Sequence, residues 1–276
     1  MKMRWRPTLI AIAVAYVAIV VIVPLAILLV EAGRTGVATV ARELTSSDAL
    51  AALRLTLVAA VAAVAINTVF GVAAGIVLER HDFPGRRVID ALVDLPLSVS
   101  PVMIGLAMLL VFGRGGWLYP LLNAMGVHVA FAVPGVILCT VFVTIPFTVR
   151  EVGYVLAEIG TDEEQVASTL GAGWLQTFRR VTLPNIQTAM RLGVVLTAAR
   201  AFGEFGAVLV VGGAVAGTTQ TATTFIYSAM EERRNAAALG MALVLAAMSM
   251  LLLALLMRLR GRRVDAAAPT LDGAAS

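Results

Sequence analysis

The residues best placed to do chemistry in this sequence are a charged pair inside a long apolar stretch. Arg200 and Glu204 stand four positions apart, so on a helix they share one face. A lone charge in the middle of a bilayer costs on the order of 3 kcal/mol, and we therefore expect the two residues to pair. The pair is either a structural ion pair that fixes its helix against its neighbours or a gate beside a path through the membrane. Gly203 and Gly206 are predicted to let another helix approach closely.

A second candidate site lies where two prolines interrupt another apolar stretch. Pro96 and Pro101 each remove a helical hydrogen bond, and neighbouring helices or water must compensate the freed backbone groups. Ser98 and Ser100 lie between the prolines and offer two hydroxyl groups. We weigh two interpretations: an ordinary kink, or a helix that lines a water-filled path with these serines.

Polar residues near these sites predict contacts between helices. Asp90 and Asp94 begin the proline-containing stretch, and Arg86 stands four residues before Asp90, which predicts an ion pair at the membrane surface. Asn67 lies in a different apolar stretch and is expected to hydrogen-bond a neighbouring helix.

Residue counts exclude several kinds of catalytic and metal site. Lys2 is the only lysine, so the chain has no internal Walker A motif, and ATP must bind to another chain if it drives this protein. Cys139 is the only cysteine, which excludes an intramolecular disulfide and a multi-cysteine metal site. The two histidines, His81 and His128, are far apart in the sequence. We therefore predict no catalytic residues and no metal site in this chain.

Composition shows that the elements holding these residues are membrane helices. The 276 residues are 60% hydrophobic and 14% charged, with a mean hydropathy of +0.93. A soluble fold of this size buries only about three quarters of its unfolded surface, which is too little to hide so much apolar area. A bilayer span needs about 20 apolar residues. The sequence therefore predicts an all-α, polytopic membrane protein with six transmembrane helices, at Leu9–Val30, Leu50–Leu78, Val88–Phe112, Phe131–Val149, Leu192–Gly213 and Ala236–Met257.

The basic residues predict how these spans are oriented. With both termini in the cytoplasm, 14 lysine and arginine residues lie inside and 5 lie outside, as the positive-inside rule requires. Orientation thus explains the net charge of +4 without a nucleic-acid partner. The first apolar run is too long for a signal peptide, so we expect it to be a retained helix.

The loop between the fourth and fifth spans, residues 150–191, is far longer than a turn requires. Apolar residues at helical spacing predict that the fourth helix continues to Gly160. Thr161 and Glu164 have the spacing of a capping box, which would begin a short helix through Leu170.

A second short helix is predicted after this one. Gly171 can adopt the left-handed conformation that ends the first helix. The second begins near Trp174, carries Phe178 and Val181 on the same face as Trp174, and ends at Pro184. Two short helices joined by a glycine suit docking onto a partner, and they equally suit packing on the chain's own membrane domain.

The loop resembles the EAA loop of bacterial ABC-importer permeases. That motif has Glu-Ala-Ala, three residues, a glycine, nine residues, and then Ile-x-Leu-Pro. Here Gly171 is followed by nine residues and then by Val-Thr-Leu-Pro, which ends at Pro184. Gln165 stands where the family usually has glutamate, Val166 stands at the first alanine, and Glu164 comes one residue early.

Motifs in the spans extend the resemblance to the sulfate/thiosulfate permeases. The stretches from Ile89 to Val102 and from Val143 to Val152 are similar to regions of that family. The run from Gly193 to Val208 contains Ala-Arg-Ala-x-Gly-Glu-Phe-Gly-Ala, which sulfate, molybdate and tungstate permeases share. Its flanking residues are most similar to the W-type sulfate subunit. The resemblance covers roughly Leu50 to Met257.

The resemblance implies the subunit of a type I ABC importer that translocates sulfate or thiosulfate across the bacterial cytoplasmic membrane. Its implied partners are two copies of an ATPase that holds ATP and magnesium, a second related permease, an extracytoplasmic sulfate-binding protein and membrane lipid. The implied domains are an N-terminal segment (1–49), a permease domain (50–257) and a basic, then disordered, tail (258–276). The residues implied to couple the chain to the ATPase are Glu164, Gln165, Ala167, Gly171, Ala172, Trp174, Phe178 and Pro184.

The translocation path is assigned to Ser98, Ser100, Arg200, Gly203 and Glu204. A tight anion site would trap the substrate, so Arg200 is expected to serve first as a gate or packing element and only second as a ligand of the oxyanion. Two alternatives are kept: a homodimeric molybdate or tungstate permease, and, much less favoured, an ion-coupled secondary transporter.

Overall fold

In the computed structural model, the structure describes the backbone of residues 6–266 and the side chains of residues 9–258. All regular secondary structure within this part is helical, which confirms the predicted all-α class. The helices are α1 (Arg6–Thr35), α2 (Val37–Leu44), α3 (Ser47–Arg80), α4 (Arg86–Ser98), α5 (Pro101–Phe112), α6 (Tyr119–Ala124), α7 (Val133–Ile159), α8 (Asp162–Thr169), α9 (Trp174–Thr177), α10 (Leu183–Phe202), α11 (Gly206–Gly212), α12 (Ala222–Glu231) and α13 (Asn235–Ala266).

Four of these helices are each long and apolar enough to cross a membrane: Leu9–Thr35, Ser47–Arg80, Val133–Ile159 and Asn235–Arg258. Two bent pairs bring the number of spans to six if each pair counts as one. The third and fifth predicted spans, Val88–Phe112 and Leu192–Gly213, are therefore not single helices.

The third predicted span divides into α4 and α5, which are inclined to each other by 117°. The break falls just before Pro101, the first residue of α5, because proline disfavours helical geometry in the residue that precedes it. Ser100 accordingly has extended backbone angles, with φ −60° and ψ 135°. Pro96 lies inside α4 without ending it. So large an angle makes the interpretation as an ordinary kink wrong.

The fifth predicted span divides at Gly203–Phe205, where α10 ends and α11 begins, with a bend of 59°. At its other end, α10 continues from α9 through a π-helical turn, Phe178–Thr182. The prediction that Pro184 ends the second short helix is wrong. Pro184 is the second residue of α10, and proline is tolerated in the first turn of a helix. The wider π turn comes directly before α10.

Helices α3, α7 and α10 form the closely packed centre of the bundle. Glycines make this possible: a Cβ atom on Gly71 of α3 would lie 2.9 Å from the Thr148 Cβ atom of α7, and one on Gly193 of α10 would lie 3.0 Å from the Thr148 Cα atom. The predicted interhelical hydrogen bond of Asn67 is confirmed, because its Nδ2 donates to the Val141 carbonyl oxygen at 3.0 Å and to Thr144 Oγ1 at 2.8 Å.

Helices α5 and α11 pack equally closely beside this centre. A Cβ atom on Gly105 of α5 would lie 2.8 Å from the Ala207 carbonyl oxygen of α11. The predicted close approach at Gly206 is confirmed, since its Cβ position lies 3.0 Å from Val102 Cγ2. At Gly203 the prediction is wrong, because the nearest atoms there belong to its own turn, at 3.9 Å or more.

The end of the bundle where α3 begins is closed by an ion pair between α2 and the α12–α13 junction. Arg234 Nη2 lies 2.8 Å from Glu43 Oε2, and its guanidinium group lies 5.9 Å from the Phe225 ring centroid. The hydrogen bond to Glu43 raises the pKa of Arg234 above its ordinary value.

The two terminal spans complete the bundle. The apolar window of α1 has no buried residue, and the helix lies at the edge against α2 and α13. α13 continues to Ala266, past the predicted start of the tail at residue 258. The rest of the predicted tail, 267–276, lies outside the described residues.

The α5–α11 contact predicts the effect of adding one methyl group. We expect Gly105→Ala to lower stability by about 1–3 kcal/mol, since the Ala207 backbone carbonyl cannot move aside as a flexible side chain would. Gly153→Ala in α7, which meets no atom within 4 Å, is the matched control and should be neutral or gain up to about 1 kcal/mol of helix propensity. Thermal unfolding of the two detergent-solubilised variants compares them, and equal midpoints would contradict the prediction.

Candidate functional site

The predicted pair of Arg200 and Glu204 is confirmed. Arg200 Nη1 lies 2.7 Å from Glu204 Oε2. The two side chains differ in burial: that of Glu204 is 2% exposed and that of Arg200 is 31% exposed. The reason for the pairing differs from the prediction, because Glu204 lies in the break after α10 and not on a continuous helical face.

Glu204 connects three helices. Its Oε2 pairs with Arg200 of α10, and its Oε1 accepts a hydrogen bond from the Ala207 backbone N–H in the first turn of α11 at 3.1 Å. Its backbone carbonyl accepts a hydrogen bond from Thr223 Oγ1 of α12 at 2.6 Å. A carboxylate near a helix N-terminus satisfies backbone donors that have no partner within the helix. Glu204 therefore stabilises the bend that separates α10 from α11.

Buried polar residues follow the same bend toward α12. The Thr221 backbone N–H donates to Thr224 Oγ1 at 2.8 Å, which caps α12. The Ala222 backbone N–H donates to Thr56 Oγ1 of α3 at 2.8 Å. The Gln220 side chain is buried, and its Oε1 atom has no hydrogen-bond partner among the described residues. The bend therefore lies in a polar part of an otherwise apolar bundle.

The bends of the two broken spans lie against each other. The Cβ position of Gly206, just after the α10–α11 bend, lies 3.3 Å from Pro101 Cβ, just after the α4–α5 bend. Ser98 and Ser100, at the α4–α5 bend, are both exposed. The five predicted path residues lie far apart in the sequence, but they all belong to these two bends, which contact each other. They are Ser98, Ser100, Arg200, Gly203 and Glu204.

The aspartates at the start of the third span pair with a residue other than the predicted one. Arg86 binds Asp82, at 2.6 Å, and does not bind Asp90. Asp90 and Asp94 instead both lie 2.7 Å from the guanidinium group of Arg150 in α7. The predicted Arg86–Asp90 pair is therefore wrong. The partner was missed because Arg150 is 60 residues from Asp90 and nothing local connects them.

The loop after α7 has the predicted pair of short helices, but their predicted ends differ from the structure. α7 ends at Ile159, Gly160 follows with φ 66°, and α8 ends before Gly171, whose φ is 83°. The predicted capping box is wrong, because the Thr161 side chain accepts a hydrogen bond from Gln165 Nε2 at 2.7 Å and caps no backbone N–H.

Glu164 points toward the bundle and is not free to cap α8. Its Oε2 lies 3.0 Å from Arg80 Nε, at the end of α3, and its Oε1 accepts a hydrogen bond from Thr182 Oγ1 at 2.8 Å. The neighbouring Glu163 accepts a hydrogen bond from Asn185 Nδ2 at 2.6 Å. The contact of Arg80 with the loop was missed, since a basic residue at a helix end also fits the orientation rule.

The outer face of the loop is an exposed apolar surface, which we call the loop tip. It consists of Val166, Leu170, Trp174 and Leu175, each more than half exposed. Leu170 and Trp174 are the most exposed, at 82% and 79%. The Trp174 ring stacks on Phe178, with centroids 6.1 Å apart. A cluster of solvent-exposed apolar side chains is typical of a surface that binds another protein.

The remaining predicted coupling residues support the loop tip from within the loop. The Ala172 backbone N–H donates to the Ala167 carbonyl oxygen at 3.0 Å, which closes the turn around Gly171. Gln165 is exposed on α8, and Pro184 is exposed at the start of α10. Glu164 differs from the other predicted coupling residues because its carboxylate faces the bundle.

Comparisons with known proteins agree on one family. The profile of a family described as the inner membrane component of binding-protein-dependent transport systems matches residues 67–265. The sulfate transport system permease protein CysW of Synechococcus elongatus is 45% identical over 254 residues, covering 92% of this chain and 89% of that protein. The sulfate transport system permease protein CysT of Salmonella typhimurium is 36% identical over 252 residues, covering 90% and 91%.

A solved structure has the same fold. It is the crystal structure of a bacterial ABC transporter involved in the import of the acidic polysaccharide alginate. The match has a TM-score of 0.75 and covers 95% of each chain at 15% sequence identity. At that identity the likeness concerns the arrangement of helices alone.

Proposed function

This chain belongs to the family of inner membrane components of binding-protein-dependent transport systems, and from that premise we propose that it is a permease subunit of an ATP-driven sulfate importer. The resemblance to sulfate permeases predicted from the loop and span motifs is confirmed by the relatives CysW and CysT. The structural observation that carries the proposal is the loop tip, a cluster of apolar side chains exposed beyond the helical bundle.

The loop tip is suited to dock on an ATPase. We infer that each of two permeases inserts its loop into one of two ATPase subunits, which hold ATP and magnesium, while this chain is the non-catalytic membrane subunit. A large exposed aromatic such as Trp174 is the kind of residue that anchors protein interfaces. The supporting residues Ala167, Gly171 and Ala172 hold the tip in one shape, so that it can push on the bundle when the ATPase closes.

The other proposed partners follow from the family and its members. Relatives carry two names, CysW and CysT, which favours a pair of related but different permeases. The family description names a binding protein, and we infer an extracytoplasmic protein that delivers sulfate to the face opposite the loop. The distribution of arginines supports a bacterial cytoplasmic membrane with both termini and the loop inside.

The meeting point of the two bends is the proposed gate. Helices that bend in a membrane leave backbone groups that must be satisfied by neighbours, so bends are placed where they line a cavity or a contact. Arg200 carries the charge that attracts a divalent oxyanion, and the buried Glu204 beside it reduces that attraction. Binding is then weak enough for release, which a transport path requires.

Uptake by the assembled importer tests the proposal. The chain is reconstituted in vesicles with a second permease, an ATPase and a sulfate-binding protein from the same organism, and radiolabelled sulfate uptake is measured with and without ATP. We expect uptake that requires ATP and the binding protein and that excess molybdate inhibits little. Strong competition by molybdate, with transport by a permease homodimer, would assign the chain to the molybdate and tungstate permeases instead.

The gate predicts the effect of removing one charge. Glu204→Gln keeps an oxygen that can accept the Ala207 N–H but loses the ion pair with Arg200. We expect normal assembly and sulfate uptake lowered by about 5- to 150-fold, the range of a 1–3 kcal/mol coupling energy. Asp94→Asn, at a carboxylate that is 45% exposed and shares Arg150 with Asp90, is the matched control. Wild-type uptake by a fully assembled Glu204→Gln complex would contradict the gate.

The loop tip predicts uncoupling by a change in its supporting turn. Gly171→Pro cannot adopt φ 83°, since proline is fixed near −65°, and it also loses the N–H that bonds to the Ser168 carbonyl oxygen. A bulky residue at Ala172 should act similarly. We expect ATP hydrolysis to continue while sulfate uptake falls by about tenfold or more.

The control for the turn is Gly173→Ala, in the same loop. Gly173 has φ −72° and open space around its Cβ position, so alanine fits without strain. Hydrolysis and uptake are measured on the same vesicles. Normal coupling in both Gly171→Pro and the Ala172 variant would remove the support for the loop as a lever.

A further inference from the structure

Arg80 contacts three separate groups at the end of the bundle that carries the loop. Its Nη1 donates to the Leu156 carbonyl oxygen at 3.0 Å, and its Nη2 donates to the Gly160 carbonyl oxygen at 2.6 Å. Its Nε lies 3.0 Å from Glu164 Oε2, in an ion pair whose N–H is not aligned for a hydrogen bond. The Arg80 side chain is only 10% exposed, and that of Glu164 is 21% exposed. The contacts therefore form a largely buried junction.

The two carbonyl contacts stabilise the end of α7. The last carbonyl groups of a helix have no partner within the helix, and the negative end of the helix dipole attracts a cation there. α7 ends at Ile159, so the Leu156 and Gly160 oxygens are among these groups. Arg80 satisfies both, and thereby fixes the end of α3 to the end of α7.

The Glu164 contact extends this junction into the loop. Glu164 lies in α8 and also accepts the hydrogen bond of Thr182, in the π-helical turn that leads into α10. One guanidinium group and one carboxylate thus connect α3, α7, α8 and the start of α10. These are the three central helices of the bundle and the helix that carries part of the loop tip.

Apolar packing does not replace this connection. A pocket of about 400 Å³ separates the side of α3 from the aromatic part of the loop. Its walls are apolar residues of α3 on one side, including Val72 and Ile76, and Trp174 and Phe178 on the other. Arg80 and Glu164 also line this pocket, and their ion pair links α3 directly to α8.

We propose that Arg80 is the positioning residue through which movement of the loop reaches the central helices α3 and α7. The proposal rests on the proposed function of the loop as the ATPase-docking element. A loop held only by its chain connections would tilt when the ATPase pushes on it. Arg80 makes α8 move as one body with the ends of α3 and α7, and through Thr182 with α10.

Only arginine has the shape that this junction requires. The guanidinium group is planar and presents its donors in fixed directions, so Nη1 and Nη2 each donate to one carbonyl oxygen while the charge stays beside the carboxylate. A lysine ammonium group keeps the charge but is a compact point on a flexible stem. Arg80→Lys therefore keeps the charge near Glu164 and loses the simultaneous contacts, which separates geometry from charge.

The first test measures the position of α8 directly and does not depend on the substrate. Spin labels are placed at Tyr154 of α7 and Ser168 of α8, which are both exposed, in a Cys139→Ala background of the assembled complex. We expect one narrow distance distribution in the parent and a clearly broader one in Arg80→Lys and Arg80→Gln. Arg86→Lys and Arg86→Gln, at an exposed ion pair with Asp82, are the matched controls and should leave it narrow. An unchanged distribution in the assembled Arg80 variants would overturn the proposal.

The second test measures sulfate imported per ATP hydrolysed. We expect the ratio to fall by about 5- to 150-fold in Arg80→Lys, while the complex assembles and hydrolysis continues. Glu164→Gln, which leaves the two carbonyl contacts of Arg80 in place, should lower the ratio less and serves as the variant that folds if Arg80 variants do not. A normal ratio in both, with only a lower unfolding temperature, would mean that Arg80 is merely structural. Absence of ATP-dependent sulfate uptake in the unmodified complex would count against the proposed function and leave the spin-label result to decide on Arg80.

Discussion

In so apolar a bundle, the cost of an unpaired charge or an unsatisfied backbone group decides where a helix can stop. Within a membrane there is no water to replace a missing partner, so each break must bring its own. Glu204 does this at the α10–α11 bend, where it pairs with Arg200 and accepts the Ala207 N–H. At the end of α7, beyond the predicted span, Arg80 likewise binds two terminal carbonyl oxygens. Both charged residues thus lie where a helix ends.

The closeness of packing differs between the three central helices and the α10–α11 bend. Helices α3, α7 and α10 touch at glycines such as Gly71 and Gly193, where even a methyl group would collide with Thr148. Close packing of this kind allows little sliding. The α10–α11 bend is packed less tightly at Gly203, where the nearest atoms to its Cβ position are 3.9 Å away.

The loop illustrates how charged residues divide between inward and outward tasks. Its apolar tip is exposed, while Glu163 and Glu164 bind Asn185, Thr182 and Arg80. The exposed tip of the loop is thus apolar, and its contacts with the bundle include these polar ones. Glu164, one residue before the position of the motif glutamate, is used here for attachment, and Gln165 at that position is exposed.

Much of this could be predicted from the sequence, because the signals are local. Apolar runs predicted the spans, the excess of arginine at alternate loops predicted an orientation, and the spacing from Gly171 to Pro184 predicted the loop and its family. The pairing of Arg200 with Glu204 was also predictable, since an unpaired charge in an apolar stretch is too costly. Glycine at positions 160 and 171 indicated where helices end, because both residues adopt left-handed φ values.

What the sequence did not determine is which distant residues meet. Arg80 and Leu156 are 76 residues apart, and Arg150 and Asp90 are 60 apart, so only the packing of α3, α4 and α7 decides their contacts. The same holds for Glu164, whose spacing from Thr161 fits a capping box but whose carboxylate finds a stronger partner in a buried arginine. Composition and periodicity thus determined the class, the spans and the loop. The tertiary structure decided the bends, their contact and the partner of each charge, because a charge in an apolar bundle pairs with the best donor that folding brings within reach.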